Sequence, residues 1–104
     1  MRVSVQKDTP SKEVGKQYRL NIGKQKRSLF FKREWISVQI KIWNKFHFFE
    51  VLPGFWRKCP EIRDDASGTI RDWLRANSDL TWKSGAPPEV GLVPLGDGKF
   101  ELTT

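Results

Sequence analysis

A chain of 104 residues with 38% hydrophobic residues and one cysteine is one domain's worth of sequence, residues 1–104. It has apolar content for a core and no means of forming an intrachain disulfide. Lys and Arg outnumber Asp and Glu 19 to 12 for a net charge of +7, and residues 1–45 hold 12 of those cations against three anions. No apolar run approaches the roughly 18 residues of a membrane span, and the first residues, Met-Arg-Val-Ser-Val-Gln-Lys-Asp, lack the apolar stretch of a secretion signal, so a cytoplasmic chain without membrane contact is expected.

Along the chain, Arg2–Gln6 alternates as a short strand, and Asp8–Lys12 has loop composition. Gln17–Ile22 alternates again, with Tyr18, Leu20 and Ile22 on one side. Gly23–Arg27 reads as a basic turn and Ser28–Lys32 as a returning strand. Arg33-Glu34 then leads through Trp35 into the most apolar and aromatic run of the sequence, Ile36–Leu52.

That run predicts a β-hairpin. Ile36, Val38, Ile40 and Ile42 alternate with Ser37, Gln39, Lys41 and Trp43, and Asn44-Lys45 supplies the turn, because Asn tolerates positive φ. Such a turn sets Trp43 opposite Phe46, Lys41 opposite Phe48 and Ile40 opposite Phe49. Val38, Ile40, Ile42, His47, Phe49 and Val51 then share the core face, since a slip of one residue would turn the isoleucines to water. Gln39, Lys41, Trp43, Phe46, Phe48 and Glu50 share the other.

Beyond Leu52 the texture changes. Pro53-Gly54 marks a turn, and Phe55–Lys58 is a linker whose aromatics cap the core. Ile62, Ala66, Ile70, Trp73 and Leu74 fall on one helical face, with Glu61, Asp64 and Asp65 at the positive end of the helix dipole. This predicts a helix over residues 61–76, open to division at Gly68 with Ser67 as the second cap. Leu80–Trp82 reads as extended and 83–88 as a loop. Val90–Leu95 and Lys99–Leu102 flank Gly96-Asp97-Gly98 as a second hairpin, and Pro94 places its strand at an edge on at least one side. The expected fold is therefore α+β: an antiparallel β-meander of about five strands, one helix packed on the sheet and a C-terminal β-hairpin.

The chemistry-bearing groups are few. His47, the only histidine, has no neighbouring Cys, His or carboxylate at metal-ligand spacing, so neither metal nor cofactor is expected. The carboxylates of 61–65 are accounted for by a helix start, and Cys59 by a half-buried position near a turn. Phosphate-loop, nucleophile-elbow and ribonucleoprotein signatures are all missing. What stands out is a basic cluster, Lys24, Lys26, Arg27, Lys32 and Arg33, with Lys16, Arg19, Lys41 and Lys45 as candidate neighbours. Cations neutralise phosphates, and Trp43 and Phe48 beside Lys41 offer stacking surfaces for unpaired bases. The expected function is that of a small, basic, non-enzymatic module contacting nucleic acid through Lys24, Lys26, Arg27, Lys32, Arg33, Lys41, Trp43 and Phe48. Charge reversal at Lys26 and Arg27 should then weaken binding and leave stability untouched. The alternative is a protein-interaction or self-association module, such as a homodimer anchored on the same aromatics. A small nuclease centred on His47 is a more remote reading.

Overall fold

Seven strands form among the described residues, as many as the expected meander and hairpin together, but Ser28–Lys32 is not one of them and Glu61–Arg63 is. In the computed structural model, which describes residues 1–7, 18–77 and 86–104, these are β1 (Arg2–Lys7), β2 (Tyr18–Asn21), β3 (Ser37–Ile42), β4 (Lys45–Glu50), β5 (Glu61–Arg63), β6 (Glu89–Gly96) and β7 (Lys99–Thr103). Three short helices interrupt them: α1 (Lys24–Phe30), α2 (Gly54–Arg57) and α3 (Thr69–Asn77). The sheet order is β4-β3-β7-β6-β1-β2-β5, so the fold is α+β but not a meander. Every described pair is antiparallel except β3 with β7, which run parallel. The twist accumulated over seven strands brings the two edges, β4 and β5, to within 8 Å of each other between Cα atoms. The sheet is thus nearly closed into a barrel. The expectations for Asp8–Lys12, Lys16 and Leu80–Trp82 lie outside the described residues.

The core follows from strand alternation. Val3, Val5, Leu20, Val38, Ile40, Ile42, Phe49, Ile62, Val90, Leu92, Phe100 and Leu102 all point inward and are buried. Strand directions divide the barrel into two ends. At one lie the starts of β1, β3, β5 and β7 and the ends of β2, β4 and β6, hence also α1 and α2. There Phe31 stacks on Phe100 at 5.0 Å between ring centroids and packs against Phe55, also at 5.0 Å. At the other end lie the β3–β4 turn and α3, which follows β5 and contributes Ile70, Trp73 and Leu74 to the core.

Several expectations change. The linker expected over Phe55–Lys58 is largely the short helix α2, which buries Phe55. Within the span expected as a turn and a strand, Lys24–Phe30 is a helix: it contains no β-branched residue, and α1 buries none of its side chains. It therefore carries no amphipathic signal for a sequence reading to detect. The helix expected over 61–76 begins only at Thr69, because Glu61–Arg63 pairs with β2 (Leu20 opposite Ile62) and Gly68 takes φ +75°. The hairpin turn is Trp43-Asn44, with φ 52° and 63°, not Asn44-Lys45. Pairing is therefore offset by two residues, with Gln39 opposite Phe48, Lys41 opposite Phe46 and Ile40 opposite His47. An offset of two preserves side-chain parity, so the two faces are those expected. Only Trp43 leaves its strand for the turn.

The C-terminal hairpin is present as β6–β7. β6 is an interior strand, yet Pro94 lies beyond Arg2 and Gly91, the last pair with β1. On that side its missing N–H costs no ladder bond.

Candidate functional site

The basic cluster divides between structural and surface roles. α1 begins after Gly23, whose φ of 83° turns the chain out of β2 at a conformation glycine tolerates. Lys24 is exposed on this helix, and the Lys26 ammonium donates to the backbone carbonyl of Arg2. Arg27 is an anchor: its guanidinium donates to the carbonyl oxygens of Phe55 at 2.9 Å and Trp56 at 3.2 Å and lies 5.0 Å from the centre of the Trp56 ring. Arg33 approaches the same ring at 4.6 Å, so Trp56 holds two guanidinium groups and ties α1 to α2. Lys32 is exposed nearby in sequence. Arg19, a candidate neighbour, forms an ion pair with Glu61 at 2.8 Å.

Lys41, Trp43 and Phe48 belong elsewhere. Trp43 forms the hairpin tip at the α3 end, whereas α1 sits at the opposite end. The eight expected site residues are therefore not one cluster. Around Lys41 and Phe48 there is instead an outward face on β4, β3 and β7. Phe48 is 69% exposed, Trp43 57% and Phe46 38%. Phe48 stands opposite Gln39, which in turn stands beside Lys99; Phe46 stands opposite Lys41, which stands beside Glu101. The Lys99 ammonium lies 5.6 Å from the Phe46 ring centre. Lys41 reaches Glu101 only at 3.9 Å, and a half-exposed pair of that length contributes little in water. Lys99 is not legible in the sequence as a member of this face, because its proximity to Phe46 depends on the parallel β3–β7 pairing, which joins residues 60 positions apart (Gln39 and Lys99).

A cleft of about 400 Å³ marks the seam of the barrel, between Phe48, Phe49, Glu50 and Leu52 on one side and Arg63–Ala66 on the other. Two aspartates line it, and both are occupied. Asp64 accepts the backbone N–H groups of Asp65 and Ile70 on Oδ1, both at 2.8 Å, and that of Arg71 on Oδ2 at 3.0 Å. Asp65 accepts the N–H of Thr69 at 3.0 Å and its hydroxyl at 2.6 Å. The pair caps α3, satisfying amides that a helix start leaves without intrahelical partners; Ser67, the expected cap, makes way for them. Burial pushes the Asp64 carboxyl up to about 6, against the backbone hydrogen bonds that favour its charged form. Both carboxylates thus serve the start of α3.

His47 lies half-buried opposite Ile40. Among the described residues, no group of three or more His, Cys, Asp or Glu side chains is placed to hold a metal ion. Cys59 is exposed rather than half-buried, because it follows α2 and its neighbour Pro60, not Cys59 itself, is buried at the start of β5. No helix among the described residues is long and apolar enough to cross a membrane. Comparison with protein-family models, with characterised proteins and with solved structures finds no match, so the outward face of β4, β3 and β7 is interpreted from its own residues.

Proposed function

We propose that this protein is a non-enzymatic binding module that contacts nucleic acid through the outward face of β4, β3 and β7. The observation that carries the reading is the open aromatic pair Phe46 and Phe48 with a lysine ammonium 5.6 Å from one of the rings. Apolar rings on a sheet normally face a core. Here the opposite face of the same strands already supplies Val38, Ile40, Ile42 and Phe49 to the core, so folding alone gives no reason for aromatics on the outside. Bases offer flat apolar surfaces to such rings, and their phosphates offer charge to Lys41 and Lys99. The net charge of +7 favours the approach of any polyanion.

The test is fluorescence anisotropy with a labelled oligonucleotide over a range of salt concentrations. Log affinity should fall linearly with log salt, by about 0.7 for each single-strand phosphate contacted. Phe48→Ala should weaken binding about ten- to a hundredfold, since stacking contributes on the order of 1–3 kcal/mol per base. A flat salt dependence, or Phe48→Ala binding as well as the native chain, would overturn the proposal.

A second reading, protein interaction or self-association, is favoured by one observation. Val93 and Leu95 on β6 are also exposed, extending the apolar character of the face beyond β7. It requires a dimer or complex in light scattering that Phe48→Glu disperses; a strict monomer at high concentration without a partner counts against it.

A further inference from the structure

We infer that the face takes single-stranded nucleic acid as two consecutive unstacked nucleotides, and that Gln39 determines which base is preferred on Phe48. The inference rests on the nucleic-acid reading above. Phe46 and Phe48 occupy alternate positions of β4, so both rings leave the same side of the strand about 6.8 Å apart. Neighbouring bases in a duplex strand are about 3.4 Å apart, half that interval. Adjacent nucleotides can therefore each occupy one ring only when they have left the stack, as they do in single strands and loops.

The register gives each ring a different companion. The Val51 N–H donates to the Ile36 carbonyl at 2.9 Å, so that pair and every second pair from it, Val38–Phe49 and Ile40–His47, are the hydrogen-bonded ones. Gln39–Phe48 and Lys41–Phe46 are then the alternate, non-hydrogen-bonded pairs, whose side chains stand closest together. A base on Phe48 would present its edge to a carboxamide, which offers two donors and an acceptor in fixed geometry. A base on Phe46 would meet an ammonium, which donates without an acceptor. Lys99 stands beside Gln39 on the far side and reaches toward Phe46, where a phosphate joining the two nucleotides would fall. Gln39 is uncharged among cations, so it contributes to base choice and not to the salt-dependent part of binding.

The experiment measures homopolymeric DNA and RNA oligonucleotides of thymine or uracil, adenine and cytosine, and a duplex of the same length, against the native chain, Gln39→Ala and Lys99→Ala. Thermal melting is measured on each variant to establish that it is folded. Expected are binding of single strands at least about tenfold tighter than duplex and an affinity spread among bases that Gln39→Ala collapses without altering the salt slope. Lys99→Ala should keep the spread and reduce the slope by about 0.7; the DNA and RNA arms establish which sugar is preferred. Equal binding of duplex, no base preference in the native chain, or a spread that survives Gln39→Ala each overturns the inference while leaving the nucleic-acid proposal standing. Failure of every oligonucleotide to bind removes both.

Discussion

Asp64 sits at the point where a strand becomes a helix, and its burial gives it a measurable titration. Its carboxyl is 3% exposed and is shifted from an ordinary 3.8 up to about 6. The folded state therefore holds a proton that the unfolded chain has released between those values. The stability this contributes is complete below about pH 4 and is lost as pH rises through about 6. A shift of this size corresponds to about 3 kcal/mol. Asp64→Asn removes the titration, so the urea midpoint of the native chain should fall relative to that of Asp64→Asn between pH 4 and pH 7; a difference that stays flat or rises over that range contradicts the assignment. At pH 7, Asp64→Ala leaves the Ile70 and Arg71 amides without their acceptor and should cost about 2–4 kcal/mol. Arg27 makes the complementary point about cations. It is anchored on two carbonyls and one indole ring, so Arg27→Glu should lower the melting temperature, contrary to the expectation that reversing its charge leaves stability almost untouched. Lys24→Glu on the exposed side of α1 should leave melting within error. Asp64 and Asp65 are legible in the sequence as residues of a helix start, though not as the caps of a helix that begins at Thr69, whereas the anchor is not legible because it depends on backbone atoms of a separate segment.

Elements were readable where side chains alternate strongly and unreadable where they do not. The β3–β4 hairpin is legible with its faces correctly divided, since Val38, Ile40 and Ile42 at alternate positions leave one way to avoid water, while Ile36, ahead of β3, is 84% exposed. Its turn falls one residue earlier than the alternation predicts, because Trp43 continues the strand pattern and an aromatic is ordinarily at home in a strand. α1 was missed because a seven-residue helix with no buried side chain differs from a basic loop only in weak propensities. β5 was absorbed into the helix after it because Ile62 falls at a spacing that suits either structure. The turn itself yields a prediction. A two-residue turn with both φ values positive favours Asn-Gly, and a bulky residue such as Trp43 is strained there by roughly 1–2 kcal/mol. Trp43→Asn combined with Asn44→Gly should relieve this, raising the melting temperature by about 4–8 °C for each kcal/mol gained in a domain of this size. If Trp43 serves the proposed binding face, the same variant should bind an oligonucleotide more weakly. A gain in stability with unchanged affinity would remove Trp43 from the site and leave Phe46 and Phe48.

At the scale of the whole molecule, the order β4-β3-β7-β6-β1-β2-β5 decides which charges can act together, and local patterning could not supply it. The parallel β3–β7 pairing sets the C-terminal hairpin beside the first one, placing Lys99 next to the aromatic face. It leaves α1 at the barrel end opposite the hairpin tip, so the basic half of the sequence is not one basic surface. Two cationic regions result, with different chemistry. Lys24, Lys32 and Arg33 lie on or after α1, where Arg27 and Arg33 approach the half-buried Trp56 ring. Lys41 on β3 and Lys99 on β7 share the outward face that bears Phe46 and Phe48. Long-range attraction should be shared by both regions, whereas contact at the bound site should belong to one. Reversing Lys41 and Lys99 together should therefore lower oligonucleotide affinity and reduce the salt slope by about 1.4, two phosphate contacts at 0.7 each. Reversing Lys24 and Lys32 removes the same formal charge, but should mainly slow association, with little change in slope. Stopped-flow association rates and equilibrium salt titrations on the two double variants distinguish these effects. If the α1 variant shows the larger loss of slope, the contact lies at the helical end of the barrel and the aromatic face is left for a protein partner.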